Sequence, residues 1–236
     1  MYNELRITSA QSILIVAPHP DDETIGCGGL LSLFGSQCDV LLLTDGRKGV
    51  PADGSKTEEE TAVIRKREFE AVMQKFRVNS FRALDIPDSS LNNHKAAAET
   101  VDLRSYDLVF VPNRNERHPD HKAAFEIIHA LLKKQKAKAQ LLEYEVWSPL
   151  IEPNRFLDIS EVMVTKLQGL REYVSQTVEL DYELLVKGLN VYRGAPRHVA
   201  YCEAFFAEET GQWGWKHCLA ARLPQWVRRF AYRLLR

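Results

Sequence analysis

S-I-L-I-V-A-P-H-P-D-D-E-T-I-G-C-G-G-L-L-S-L-F-G, residues 12–35, changes its periodicity partway through. Ser12 to Ala17 is a short β-rich apolar run, whereas from Thr24 to Gly35 the apolar residues recur at helical intervals, so the stretch reads strand, loop, helix. The same unit recurs outward from it. D-V-L-L-L-T from Asp39 is the next strand, the loop Asp45 to Lys56 is rich in Gly, Pro and Asp, and a helix is predicted over Glu58 to Phe76. A third strand is expected near Phe81 to Leu84 and a helix over Lys95 to Arg104. D-L-V-F-V-P from Asp107 reads as a fully buried strand, H-P-D-H opens a helix to about Lys136, and L-L-E-Y-E-V-W from Leu141 reads as another strand. Parallel strands need long crossovers, so this alternation implies a Rossmann-like α/β fold, a mostly parallel sheet with helices on both faces. In such sheets functional groups collect where loops leave the carboxyl ends of the strands.

The 236 residues, 45% hydrophobic and 27% charged, suit one compact domain with a sizeable core. No run approaches the roughly 20 apolar residues of a membrane-spanning helix, and M-Y-N-E-L-R-I-T-S-A lacks the apolar stretch of a secretory signal, so a cytoplasmic location is expected. Cys27, Cys38, Cys202 and Cys218 are scattered without a C-x-x-C pair, which suggests neither a disulfide framework nor a cysteine zinc knot but reduced, mostly packed thiols. The net charge of −1 conceals six basic residues after Glu209 (Lys216, Arg222, Arg228, Arg229, Arg233, Arg236) and no acid there, leaving about −7 on the rest. That argues against general nucleic-acid binding and assigns any anionic partner to the C-terminus.

His19, Asp21 and Asp22 follow the first strand directly, and His118, Asp120 and His121 follow the strand at Asp107 closely. Two His-rich clusters therefore face one mouth of the sheet. Two imidazoles and a carboxylate that leave a position for water form a usual hydrolytic metal site. Spacing leaves open which residues ligate: one of Asp21 and Asp22 would bind metal while the other serves as general base, and His118 and His121 divide similarly between ligation and donation to an oxyanion. Helix capping accounts for Pro20 with its aspartates and for Pro119 with Asp120, but not for a histidine beside each cap. Gly26, Gly28 and Gly29 do not fit a nucleotide-binding loop and instead suggest close packing of a helix on the sheet.

Several motifs resemble the LmbE-like, or PIG-L, zinc deacetylases: A-P-H-P-D-D-E-T-I-G-C-G-G (Ala17 to Gly29), L-T-D-G (Leu43 to Gly46), R-K-R-E (Arg65 to Glu68), H-P-D-H (His118 to His121), K-L-Q-G-L-R-E-Y-V-S-Q (Lys166 to Gln176) and Y-C-E-A-F (Tyr201 to Phe205). Members of that family remove acetyl groups from N-acetylglucosaminyl phosphatidylinositol and related glycoconjugates. The resemblance implies one Zn2+ per chain held by His19, Asp22 and His121, with Asp21 as general base and protonated His118 as acid or oxyanion partner. It also implies that Arg65 contacts the sugar or its neighbour, and that Glu23 supports rather than ligates. Arg114 and Arg117, in N-R-N-E-R before H-P-D-H, depart from the family pattern and either meet an anionic group of the substrate or are solvated.

The expected activity is removal of the N-acetyl group from an amino sugar in a glycoconjugate, lipid-linked substrates included. The alternatives are another amidase or thiol-conjugate hydrolase on the same scaffold, and a non-catalytic binding protein. A deacetylase domain is expected over residues 1–209. Residues 210–236 read as a basic amphipathic tail, in which Trp213, Trp215 and Trp226 suit peripheral contact with an anionic inner membrane surface, or as a helix packed on the domain with its arginines in water.

Overall fold

The computed structural model describes residues 3–51, 53–177 and 180–208. Its strands are β1 Ile13–Ala17, β2 Cys38–Thr44, β3 Ser80–Ile86, β4 Leu108–Pro112, β5 Gln140–Tyr144, β6 Arg155–Asp158 and β7 Cys202–Ala207. The helices are α1 Asp22–Phe34, α2 Glu58–Phe76, α3 Lys95–Ala98, α4 Pro119–Gln135, α5 Met163–Leu170, α6 Val174–Thr177 and α7 Tyr182–Gly194. All strands join one sheet in the order β3-β2-β1-β4-β5-β7-β6. The first five are parallel, and β7 runs antiparallel to both β5 and β6.

Strand alternation divides the core into two layers. Ile13, Ile15 and Ala17 of β1 pack with apolar residues of α1, α2, α5 and α7, while Leu14 and Val16 pack with those of α4. Helices on both faces explain why the parallel strands are near-continuous apolar runs, as the sequence led us to expect. The order reverses between β1 and β4: the chain steps outward from β1 through β2 to β3, then returns to place β4 on the other side of β1. Such a switch point opens a crevice at the carboxyl ends of the two strands.

α3 is shorter than the helix expected over Lys95 to Arg104. It stops at Ala98, and the chain beyond is held by the last residue of α4: Gln135 Nε2 donates to Val101 O (2.7 Å) and Gln135 Oε1 accepts from Leu103 N (2.8 Å). Burial of Ala98, Val101 and Leu103 against α4 outweighs the helical preference of the alanine run. β6 and β7 add an antiparallel edge that the sequence pattern left unassigned. No helix among the described residues is long and apolar enough to cross a membrane. The tail at 210–236, with Cys218, lies outside the described residues.

Candidate metal and catalytic site

Loops from β1, β2, β3 and β4 meet in the crevice. The L-T-D-G stretch after β2 is its scaffold: Thr44 N and Oγ1 both donate to Pro18 O (2.9 and 2.8 Å), and Asp45 Oδ1 accepts from Asp88 N (3.1 Å). His19 and Asp22 are thus carried by the β1–α1 turn, Asp88 by the loop after β3, and His118 to His121 by the start of α4. The structure brings His19, Asp21, Asp22, Arg65, His118 and His121 into one cluster, in which only His118 is more than slightly exposed.

Three donor atoms form a small triangle. His19 Nδ1 lies 3.2 Å from Asp22 Oδ2 and 3.2 Å from His121 Nε2, and the last two are 3.1 Å apart. Donors about 2.0–2.1 Å from a tetrahedral zinc ion stand about 3.3–3.4 Å from one another, so the edges match a ligand face. The ring nitrogens of His19, His118 and His121 also approach within 4.8 Å, but His118 Nδ1 already accepts from Asp120 N (3.2 Å), and the triangle with Asp22 is tighter. His19 turns its other nitrogen, Nε2, to Asp88 Oδ1 and Asp120 Oδ2, each at 3.3 Å. Two carboxylates there require a proton on Nε2, which leaves the Nδ1 lone pair directed into the triangle.

Charge points the same way. Arg65 pairs with Asp21, whereas the buried carboxylates of Asp22, Asp88 and Asp120 have no Lys or Arg ion pair among the described residues, an excess of negative charge that a divalent cation offsets. Burial pushes Asp22 up, but His121 and then His19 outweigh it and hold the carboxyl well below the usual range. The donor set and its charge fit a zinc-class ion.

Asp21 stands apart chemically from its neighbour. Its backbone adopts φ 119°, ψ −30°, a conformation that disfavours any side chain. Several contacts hold it: Glu23 Oε2 accepts from Asp21 N (3.2 Å), Thr24 N and Ile25 N donate to Asp21 O (2.9 Å each), and Arg65 Nη2 donates to Pro20 O (2.6 Å). Arg65 Nη2 also reaches Asp21 Oδ2 (3.1 Å), as does Tyr182 OH at 3.5 Å. Burial raises the Asp21 carboxyl to about 8; the Arg65 charge opposes this, and Asp22 and Glu23 reinforce it. Glu23 is a support for this turn, with Oε1 accepting from Thr24 Oγ1 and Tyr173 OH, both at 2.6 Å.

His118 is the N-cap of α4, with Pro119 in the first helical position. Because its Nδ1 accepts the Asp120 amide, the proton resides on Nε2. Burial, and after it the charges of His19 and His121, lower its pKa from the ordinary value. Arg114 pairs with Glu143 (2.5 Å) and Glu208 and covers the Phe125 ring at 4.7 Å while its side chain stays partly exposed, and Arg117 is exposed. Sequence reasoning missed Asp88, Glu116 and Tyr182. Asp88 had a usable signal, a Pro-Asp pair at a strand end like the one after β1; the other two look like ordinary loop and helix residues.

Comparison with known proteins adds an independent line. The family model described as PIG-L, GlcNAc-PI de-N-acetylase, matches residues 14–132. The diacetylchitobiose deacetylase of Thermococcus kodakarensis is 32% identical over 196 residues, spanning 74% of this chain and 73% of that protein. A Bacillus subtilis protein described as a probable N-acetyl-α-D-glucosaminyl L-malate deacetylase 2 is 28% identical over 195 residues, or 74% of this chain and 87% of its own. Among solved structures, N,N′-diacetylchitobiose deacetylase from Pyrococcus horikoshii superposes with a TM-score of 0.73 at 24% identity, covering 85% of this chain and 84% of that one.

Proposed function

Because the chain belongs to the PIG-L, or LmbE-like, family, we propose that it is a zinc-dependent hydrolase that removes the N-acetyl group from an amino sugar in a glycoconjugate. The observation that carries this reading is the triangle of His19 Nδ1, Asp22 Oδ2 and His121 Nε2 beside an uncoordinated carboxylate, Asp21. A zinc ion held by His19, Asp22 and His121 supplies Lewis acidity toward the acetamide carbonyl and the attacking water.

The remaining work belongs to side chains. Arg65 and Tyr182 both engage Oδ2 of Asp21, which leaves Oδ1 to take the proton of the attacking water as its oxygen bonds to the carbonyl carbon. His118 donates its Nε2–H to the developing oxyanion. The proton on Asp21 then passes to the amide nitrogen, the C–N bond breaks, and acetate and a free amino sugar leave. In this reading Arg65 positions the base. Trp147, partly exposed and packed edge-on against Tyr182 with ring centroids 5.7 Å apart, offers an apolar face to the sugar ring.

The test is acetate release from a panel of N-acetylglucosamine conjugates, soluble and lipid-linked, by zinc-loaded protein. Asp21→Ala is expected to lower the rate about 10²–10⁴-fold, the usual worth of a positioned general base. Release that survives the substitution would remove Asp21 from the mechanism. No acetate from any conjugate would favour another amide substrate on the same site.

A further inference from the structure

Glu116 lies in the loop between β4 and α4, two residues before His118, and is completely buried. Its two carboxylate oxygens differ sharply. Oε1 accepts from Asn113 Nδ2 (3.2 Å) and from the amides of Val146 (3.2 Å), Trp147 (3.0 Å) and Ser148 (2.9 Å). Oε2 has no hydrogen-bond partner. It lies 3.9 Å from His121 Nδ1, a buried ring nitrogen that likewise has none.

Two buried polar atoms left unpaired would each keep the full desolvation penalty of a lost hydrogen bond. These two face each other across less than 1 Å beyond hydrogen-bonding range, so a small rotation satisfies both. Only one tautomer permits it. A proton on His121 Nδ1 gives Glu116 a donor, whereas a proton on Nε2 would set a lone pair against a buried carboxylate and block the nitrogen that faces His19 and Asp22.

We infer that Glu116 is the positioning residue of His121: it accepts the Nδ1–H, fixes the ring, and directs the Nε2 lone pair to the point shared with His19 Nδ1 and Asp22 Oδ2. The inference rests on the metal reading above. It gives the two histidines matching supports, Asp88 and Asp120 behind His19 and Glu116 behind His121. Through Oε1 the same carboxylate anchors the backbone of residues 146–148, which carries Trp147 at the mouth of the crevice. Metal grip and the sugar-facing wall thus share one buried residue.

Glu116→Gln tests this, because the amide oxygen can keep the four donors while its NH2 group cannot accept from His121. Zinc affinity measured by chelator competition is expected to fall about 10–100-fold, the usual cost of losing such a support. In parallel, long-range 1H–15N spectra of zinc-loaded wild type should find His121 protonated at Nδ1, a readout that needs no variant to fold. Unchanged zinc affinity in Glu116→Gln would overturn the role of Glu116 and leave the metal site standing. A wild type whose His121 is protonated at Nε2, or that binds no zinc, would sink both.

Discussion

Arg65 directs its guanidinium to the protein itself: Nη1 to Gly46 O, Nη2 to Pro20 O and Asp21 Oδ2, with Nε buried and unpaired. A planar fork can hold three oxygens at fixed angles, which a lysine ammonium cannot reproduce. Arg65→Lys is therefore expected to keep the charge but let Asp21 drift, lowering kcat by up to about 10²-fold with KM little changed. A rise in KM at constant kcat would instead mean that Arg65 contacts the sugar. This distinction also marks how much of the site was legible in the sequence. His19, Asp21, Asp22, His118 and His121 announce themselves because capping accounts for the prolines and aspartates but not for the histidines beside them. Asp88, Glu116 and Tyr182 do not, since their roles arise from contacts between residues distant in the chain, as when Tyr182 OH meets Asp21 Oδ2 across 161 positions.

Helix α1 shows the same limit at the scale of an element. Its glycines predict close packing, and a Cβ on Gly26 would lie 2.1 Å from Tyr144 Cδ2 and 2.9 Å from Glu145 O. Tyr144 cannot yield, because it is fully buried and its hydroxyl donates to Val16 O (2.8 Å). Gly26→Ala is expected to destabilise the fold by about 1–3 kcal/mol in urea titration, a typical cost of overpacking. A methyl group added to Gly188, in α7, would meet nothing within 4 Å, so Gly188→Ala should stabilise by about 0.4–1 kcal/mol through the unfolded chain. Equal signs for the two would refute the packing account. The identity of the neighbour, by contrast, was not readable. Nor was β7, where Glu203 interrupts an apolar strand because it accepts from Gly29 N, Leu30 N and Lys166 Nζ, a buried network that resembles no strand pattern.

At the scale of the whole molecule, the strand order places the crevice between β1 and β4, and the later part of the chain closes it: Tyr173 and Tyr182 reach Glu23 and Asp21 from beyond the residues that match the family model. Among the described residues the core extends to Ala207, where β7 ends against β5. With a tail that acts at a membrane, truncation after Glu209 is expected to leave the melting temperature and the hydrolysis of a soluble conjugate near those of the full chain. Its effect should appear at a membrane. The segment removed holds six basic residues and Trp213, Trp215 and Trp226, and each basic residue near an anionic surface contributes about 1 kcal/mol. Full-length protein should sediment with phosphatidylserine-containing vesicles at low salt and be released as ionic strength rises, while the truncated chain stays in solution. Equal sedimentation of both forms would deny the tail its membrane role and favour soluble conjugates as substrates; loss of binding together with slower turnover of lipid-linked conjugates alone would place the substrate in the bilayer.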